Sequence, residues 1–303
     1  EVFKKPGERA ADFRWVGIDN RYFLAALLPA PDNFSSVRNG EGHVLTVTAL
    51  NASLPPGAGR SWELPFYVGA KGHTWLSRYK AGLERSIDFG FFAQLGRWVL
   101  WVLDWLHALT GNWGWAIILL TVILQFLLFP LTYKSLKSMA ALKKLQPEIA
   151  RLQQRYSKEP TKLNQEMMAL YKARGANPLG GCLPMLVQMP VFIALFNALR
   201  NAWELHGAGW VFWIHDLSAK DPFYVLPIVM GALMFVQNKL TPAATDPTQA
   251  QMMNFMPIIF TFMFMNFPSG LVLYWLTNSL FSTVQQLALR GRLGLSAAGT
   301  GGR

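Results

Sequence analysis

Residues 111–132 read GNWGWAIILLTVILQFLLFPLT, and residues 133–175 continue directly as YKSLKSMAALKKLQPEIARLQQRYSKEPTKLNQEMMALYKARG. The first stretch is apolar and the second is basic, and a further apolar run begins within ANPLGGCLPMLVQMP at residues 176–190. An apolar helix of about 20 residues is long enough to cross a bilayer. This order therefore predicts a membrane span, a charged helical hairpin over 134–180, and a return into the membrane.

Five segments of the chain are apolar and close to the length that spans a bilayer. They are residues 113–133, 182–202, 223–240, 250–268 and 270–290. The composition agrees with a polytopic α-helical membrane protein, because 52% of the residues are hydrophobic and 15% are charged, whereas soluble domains carry about 25% charged residues. Prolines lie within or beside these segments, so we expect irregular helices whose freed carbonyl groups are satisfied by neighbouring helices.

The basic residues are concentrated in one loop. Between Lys134 and Arg174 the sequence has ten basic and three acidic residues, and loops rich in Lys and Arg remain in the cytoplasm. The loop 203–222 has Lys220 as its only Lys or Arg, so we expect it on the opposite side. Five spans then place the N-terminus outside and the C-terminus in the cytoplasm. Because the positive charge is so local, a surface for nucleic-acid recognition is not expected.

The region 1–80 has the character of a β domain. Its short β-rich runs, RYFLAALLPA, HVLTVTALN and SWELPFYVGA, are separated by turn sequences. Three or four strands do not easily bury a core of their own. We therefore expect 1–80 to be the C-terminal part of a larger β domain, and the chain to be a fragment of a longer protein.

The segment 81–110 differs from the regions on either side of it. Apolar residues recur there at helical spacing, and three tryptophans are included. Tryptophan is enriched where membrane meets water, which favours an amphipathic helix lying in the interface. We assign 111–292 to the five-span core, including the hairpin, and 293–303 to a flexible tail.

The hairpin 134–180 has apolar residues at steps of three or four positions, the spacing of a buried helix face. Pro147 interrupts this pattern, so we predict a bend or a fresh helix start near it. Thr161 can cap a second helix that ends at Gly175. The hairpin is either a packed antiparallel pair with a solvated basic face, or a surface that contacts ribosomes, lipid headgroups or client chains.

Polar side chains within apolar spans are costly and usually face protein or water. The five spans contain Thr121, Gln125, Gln188, Gln237, Asn254, Tyr274, Asn278, Ser282 and Gln285. The four on the last span share one helical face, as do Thr121 and Gln125 on the first. Most fall at mid-depth or in the cytoplasmic half, which an inward-open wet cavity would produce. Asn197, Arg200, Asn201 and Asn266 lie toward the outside and do not fit such a cavity. Hydrogen bonding between helices is the alternative explanation.

Other functional classes find little support in the residues. No Asp, Glu or His lies in the five spans, although a secondary transporter normally uses such groups. All five histidines lie outside them, so neither a membrane-embedded catalytic site nor a His-based metal site is expected, and His215 with Asp216 fits a structured outer loop better than a catalytic dyad. Cys182 is the only cysteine, no phosphate-loop motif occurs, and we expect no cofactor. A structural membrane-assembly protein remains an alternative.

Several motifs together resemble one family. FPLTYKSLKSMAALKKLQP, NPLGGCLPMLVQMPVFIALF, PIVMGALMFVQNKLTP and FPSGLVLYW are similar, in that order, to the YidC/Oxa/Alb family of bacterial membrane protein insertases. The resemblance covers about residues 84–290. The preceding WVGIDNRYFLAALLP is similar to the end of the periplasmic β-sandwich of Gram-negative members.

This resemblance implies a fold, a function and partners. The expected fold is a five-helix core with a cytoplasmic helical hairpin, preceded by a fragment of a periplasmic β-sandwich, in the bacterial inner membrane. The expected function is non-enzymatic insertion of nascent membrane proteins through a hydrophilic groove open to the cytoplasm, alone or with the Sec translocon. The hairpin 134–180 would meet the ribosome, and apolar spans would meet the lipid bilayer.

Two positions depart from the family pattern. Gln125 stands where the family usually has Arg or Lys, and Trp275 stands where a Tyr often follows FPSGLVLY. The resemblance implies a client-binding groove formed by Thr121, Gln125, Gln188, Gln237, Asn254, Tyr274, Trp275, Asn278 and Ser282. The sequence leaves open whether Gln125 is natural or introduced, and we expect weaker handling of clients with acidic tails. The residues after Arg290 are Gly-rich and include few basic ones, so we do not expect strong ribosome binding through them.

Overall fold

The computed structural model describes residues 7–10, 13–28, 34–39, 44–49, 53–177, 180, 183–240 and 247–290. The predicted tail 293–303 lies outside them. The chain divides into two compact units. The first falls within Glu1–Gly90 and includes Asn201–Glu204, and the second consists of Phe91–Arg200 and Leu205–Arg303.

The first unit contains two antiparallel three-stranded sheets. The strands are β1 (Gly7–Ala10), β2 (Val16–Asp19), β3 (Phe23–Leu27), β4 (Phe34–Asn39), β5 (Leu45–Ala49) and β6 (Phe66–Ala70). One sheet has the order β1-β4-β5 and the other β2-β3-β6. The three β-rich runs of the sequence correspond to β3, β5 and β6. Short α1 (His73–Arg78) and a 3-10 turn at Leu83–Ser86 follow.

Alternation along the strands builds the core of this unit. Leu24 and Ala26 on β3 and Val37 on β4 are buried, as expected where successive side chains point to opposite faces. The buried Lys71 ammonium is 2.5 Å from the Asp19 carboxylate, which compensates its charge. The segment 201–204 belongs to the same unit, and Glu204 Oε1 accepts a hydrogen bond from the His73 N–H at 3.1 Å.

The second unit is helical. Its helices are α2 (Ala93–Thr110), α3 (Trp113–Arg155), α4 (Pro160–Ala173), α5 (Leu183–Asn201, whose last residue belongs to the first unit), α6 (Val225–Leu240), α7 (Pro247–Phe264) and α8 (Ser269–Arg290). A mostly helical chain with antiparallel strands near its N-terminus is the fold class that the sequence predicts, and this prediction is confirmed.

Helix α2 is two-faced. It packs on α3 and buries Val99, Leu103 and Leu106, while its three tryptophans at positions 98, 101 and 105 are more than half exposed. The helix starts at Ala93, so it is shorter than the predicted 81–110 segment. The exposed tryptophan face is typical of a membrane interface, and the interfacial position stays a prediction.

Helix α3 runs without interruption for 43 residues, about 65 Å at the rise of an α-helix. It joins the first predicted span to the first hairpin helix, and both Pro130 and Pro147 lie inside it. The fresh helix start predicted near Pro147 is therefore wrong, and a bend at this residue stays a prediction. Leu145 and Ile149, on either side of this proline, are buried against Tyr171 of α4. This packing stabilises the helix where proline removes a backbone hydrogen bond.

Each of the five predicted spans coincides with one of the helices α3, α5, α6, α7 and α8. By length and composition, Trp113–Arg155 is the one helix among the described residues that is long and apolar enough to cross a membrane. Val225–Leu240 and Gln251–Phe264 are shorter apolar helices. The number of spans and their orientation stay predictions.

A loop joins the 3-10 turn Trp203–Leu205 to α6 and is here called the 205–224 loop. It contacts the first residues of three helices. The Asn112 carboxamide oxygen caps α3 by accepting from the Gly114 N–H at 2.9 Å, and its Nδ2 donates to the Gly209 carbonyl at 3.1 Å. A Cβ on Gly114 would lie 2.1 Å from the Trp210 ring, so this contact requires glycine. The Ser269 N–H, at the start of α8, donates to the Ala219 carbonyl at 2.7 Å.

Asp221 fixes the end of this loop. Its carboxylate is almost completely buried. Oδ1 accepts from Trp213 Nε1 and the Phe223 N–H, both at 3.0 Å, and Oδ2 accepts from the Leu226 N–H at 2.7 Å. The last bond caps α6, because the first N–H groups of a helix have no partner within it. The starts of α3, α6 and α8 therefore lie at the same end of the second unit.

Candidate functional site

Helix α8 is the element on which the polar residues of the second unit converge. It starts immediately after Pro268, which cannot continue a preceding helix, and it packs against both α3 and α6. Near the start of the helix, the consecutive residues Leu271, Val272 and Leu273 are all buried. Polar residues at helical spacing then follow on the face that meets neighbouring helices.

The centre of the site joins α3 to α8 and is here called the Gln125 cluster, which consists of Gln125, Asn278 and Ser282. Gln125 Nε2 donates to Asn278 Oδ1 and lies 3.3 Å from Ser282 Oγ. Gln125 is only 6% exposed, whereas its two partners are half-buried. A buried amide is stable in apolar surroundings when its polar atoms are hydrogen-bonded, and Gln125 meets this condition through α8.

A second polar contact links α5 to α8. Gln188 Nε2 donates to the Tyr274 hydroxyl at 2.5 Å. Tyr274 is almost completely buried and lies one helical turn before Asn278. The two contacts therefore place polar partners from α3 and α5 along adjacent turns of one α8 face.

The third polar contact links α6 to α8. Gln237 Nε2 donates to the backbone carbonyl of Ser279 at 2.9 Å. The neighbouring Asn238 contacts a different helix: its Nδ2 donates to the Met253 carbonyl of α7 at 2.5 Å. Pro257, four residues after Met253, deprives this carbonyl of its helical partner. This is the compensation that the sequence analysis expected for prolines in the spans.

Three predicted site residues are not brought into these contacts. Thr121 is fully buried, and its hydroxyl donates to the Ile117 carbonyl of its own helix at 2.7 Å. Asn254 is exposed on α7. Trp275 packs among phenylalanines, with ring centroids 4.9 Å from Phe192 and 5.3 Å from Phe264. Tryptophan at this position therefore fills an aromatic cluster between α5, α7 and α8.

Several of the predicted polar residues form hydrogen bonds between helices. Gln125, Gln188 and Gln237 each donate to a neighbouring helix, so interhelical hydrogen bonding accounts for their partners in this structure. A groove open to the cytoplasm stays a prediction for the same face of α8. The arrangement can exchange hydrogen bonds with a polar guest, because its amides and hydroxyls carry both donors and acceptors.

The 205–224 loop holds a serine, a histidine and an aspartate in proximity. His206 Nδ1 is 3.2 Å from Ser218 Oγ, and Ser218 Oγ donates to Asp216 Oδ1 at 2.7 Å. In a catalytic triad the histidine lies between the serine and the carboxylate, whereas here the serine contacts the carboxylate directly. His215, beside Asp216, is exposed. The group therefore orders the loop, as the sequence analysis expected for this region.

The family model described as 60Kd inner membrane protein matches residues 105–294, which include α3 to α8 and every residue of the candidate site. The chain belongs to this family. A model described as YidC periplasmic domain matches residues 3–102, which contain the two sheets. The family resemblance seen in the sequence is confirmed, and the family is one of inner membrane proteins.

Individual relatives of this family member agree with the assignment. Membrane protein insertase YidC of Endomicrobium trichonymphae is 46% identical over 291 residues, which cover 92% of this chain and 56% of the relative. The protein of the same name from Cupriavidus necator is 44% identical over 293 residues, covering 95% and 53% respectively. The chain thus spans about half the length of the curated relatives that it matches.

A solved structure shares the fold. It is described as an active YidC insertase crystal structure with the first transmembrane domain resolved. The TM-score is 0.58 at 24% sequence identity, and the match covers 89% of this chain and 64% of that chain. At this identity the likeness supports the arrangement of helices and strands.

Two polar groups of the site region, from Ser279 and Asn238, are not among the residues predicted from the sequence. Ser279 enters through its backbone carbonyl, which has no sequence signal. Asn238 had a signal that was not used, because Pro257 leaves the Met253 carbonyl without a helical donor. A search for polar residues able to reach such carbonyls would have suggested Asn238.

Proposed function

We propose that this chain is the core of a membrane protein insertase, which moves polar segments and transmembrane segments of nascent proteins into the bacterial inner membrane. Family membership and the names of the relatives support this function. The observation that carries it is the Gln125 cluster, a set of exchangeable hydrogen-bonding groups between α3 and α8 in which Gln125 is buried.

The chemistry of the cluster suits transient binding of a polypeptide. Side-chain hydrogen bonds between membrane helices contribute about 0.6 kcal/mol each on average, so the α3–α8 contact can open at small cost. A client backbone then offers N–H and C=O groups to the same amides and hydroxyls. The client's apolar segment would pass along exposed apolar side chains of α3 and α7, such as Phe126 and Phe262.

The remaining partners belong to the same proposal. The N-terminal β unit would lie in the periplasm and the C-terminus in the cytoplasm, as the positive-inside rule predicts. The Sec translocon would act beside the core for some clients. The hairpin 134–180 would contact the ribosome through its basic surface, because Leu145, Ile149 and Tyr171 form its apolar interior and leave the charged residues outside.

The proposal predicts how charge at position 125 alters client choice. With purified chain in liposomes and a short single-span client made by in vitro translation, protease protection of the translocated tail reports insertion. We expect Gln125→Arg to increase insertion of clients with acidic tails by about tenfold, equivalent to about 1.4 kcal/mol. A unit charge pair 4 Å apart contributes about 4 kcal/mol at an effective dielectric constant of 20.

Neutral-tailed clients are the matched control, because Coulomb attraction to an arginine does not act on them. Insertion by both forms would indicate that the site needs polarity rather than charge. Equal insertion of acidic tails by both forms would contradict the charge prediction. Failure of both forms, while another insertase succeeds in the same liposomes, would contradict insertase activity for this chain by itself.

A further inference from the structure

The face of α8 that carries the Gln125 cluster continues toward Arg290 with two more amides. Gln285 lies seven residues after Asn278 and three after Ser282, which puts all three on one helical face. The distance along the axis from Asn278 to Gln285 is about 10.5 Å. Gln286 borders the same face. The row of polar residues therefore extends beyond those that form hydrogen bonds with α3 and α5.

The amide of Gln285 differs from those of Gln125 and Asn278, because both of its polar atoms are buried without a partner among the described residues. Gln285 is 6% exposed, and neither its Nε2 nor its Oε1 has a hydrogen-bond partner among the described residues. The Oε1 of Gln286 is likewise buried without a partner. Buried polar atoms are nearly always hydrogen-bonded, so each exception calls for an explanation.

We propose that Gln285 is a binding position for the backbone of a client's polar segment, and that this segment occupies it on the way to the Gln125 cluster. The inference rests on the proposed function. An amide side chain offers one acceptor and two donors, which match the C=O and N–H of a peptide group. Because Gln285 carries no charge, it suits a neutral backbone better than an ion.

The buried amide also explains why the client can reach it. When α8 packs against its neighbours, the donor and the acceptor of the Gln285 amide are buried without hydrogen bonds. This packed state is less stable than one in which both groups have partners. Parting of α8 from its neighbours near Gln285 therefore loses no side-chain hydrogen bond at this residue. A client backbone that enters gains two, so binding and opening are coupled at this position.

The first experiment measures insertion by Gln285→Leu in the liposome assay, together with thermal unfolding in detergent. We expect insertion to fall about three- to tenfold, the effect of losing one or two hydrogen bonds, while the unfolding temperature rises because the unpaired amide is gone. Gln285→Asn should restore part of the activity. Thr277→Val is the matched control, because the Thr277 hydroxyl is satisfied within its own helix by Leu273.

The second experiment tests proximity. In a chain with Cys182→Ser, the variant Gln285→Cys should form a disulfide with a cysteine in the polar tail of an arrested client, and Leu287→Cys, whose native side chain is 51% exposed on another face, should not. Unchanged insertion by Gln285→Leu, parallel loss of insertion and stability, or equal crosslinking at both positions would overturn the proposal. Failure of the unaltered chain to insert any client would overturn the proposed function together with the role of Gln285. Failure of the Gln285 predictions alone would leave the proposed function standing.

Discussion

The two ends of α8 are held in opposite ways. At its start, the Ser269 N–H and hydroxyl both donate to the Ala219 carbonyl at 2.7 Å, and the Gly270 N–H donates to the Leu217 carbonyl at 2.9 Å. Four turns later, the buried amide of Gln285 has no partner among the described residues. The first end is fixed by several directional bonds, and the second retains hydrogen-bonding capacity that is not used.

This difference indicates which part of the helical unit can move. The 205–224 loop holds the starts of α3, α6 and α8 through Asn112, Asp221 and Ser269. Separation at that end would break charged and neutral hydrogen bonds together. Separation near Gln285 would break none at its side chain. Opening toward the end of α8 is therefore favoured, with the starts of the three helices as the fixed point.

Removal of the Asp221 carboxylate should have the largest effect on the fixed end. Asp221→Ala leaves three N–H donors without their acceptor, that of Leu226 buried and those of Trp213 and Phe223 partly buried, and we expect a loss of about 3 kcal/mol in the free energy of unfolding. Thermal or denaturant unfolding in detergent measures this. Asp221→Asn should lose less, and so should Asp216→Ala at a half-buried position of the same loop. A loss for Asp221→Ala no greater than for Asp216→Ala would break the comparison.

The cap of α3 should have an intermediate effect. Asn112→Ala removes the oxygen that accepts from the Gly114 and Trp115 N–H groups, together with the amide bond to Gly209. We expect a loss of about 1–2 kcal/mol, as for other helix caps. Asn112→Asp keeps the capping oxygen but not the Nδ2 donor, so we expect it to lose less stability than Asn112→Ala. The loss that Asn112→Asp does show would measure the hydrogen bond from Nδ2 to the 205–224 loop. Equal losses would instead place the whole effect in that loop.

The hairpin supplies the smallest predicted effect. Arg174 Nη2 lies 2.9 Å from Glu148 Oε1 in a solvent-exposed pair, and exposed pairs contribute about 0–1 kcal/mol. Arg174→Ala should therefore change stability by less than Asn112→Ala and lose its effect in high salt. Lys162→Ala, from the longer Glu159 pair at 3.6 Å, is the control and should have no measurable effect. A large salt-independent loss for Arg174→Ala would make the hairpin a second fixed point.

Much of the architecture follows from local sequence. Apolar runs predicted the positions of α3, α5, α6, α7 and α8 to within a few residues, except that α3 extends through the hairpin. The β-rich runs predicted β3, β5 and β6, whereas β1, β2 and β4 lacked clear signals. The helix start expected near Pro147 does not occur, because the packing of Leu145 and Ile149 against Tyr171 stabilises the helix through this proline. Such contacts join residues distant in sequence, so periodicity does not reveal them.

The candidate site was predicted in part. Helical spacing identified the shared face of Tyr274, Asn278 and Ser282, because period alone determines which residues of a helix align. Spacing does not say which side chains from other helices meet that face. The packing of α8 against α3 selects Gln125 as the partner of Asn278, leaves Thr121 to its own helix, and places Trp275 among phenylalanines.

The sequence by itself determined the class of the chain: its apolar runs, its local basic hairpin and its family motifs need only composition, order and period. Tertiary structure alone decided which polar groups are satisfied. A hydrogen bond requires donor and acceptor within about 3 Å and in good alignment, and that depends on how helices cross. Among the described residues, Asp221 thereby obtains three donors and the side chain of Gln285 obtains no partner.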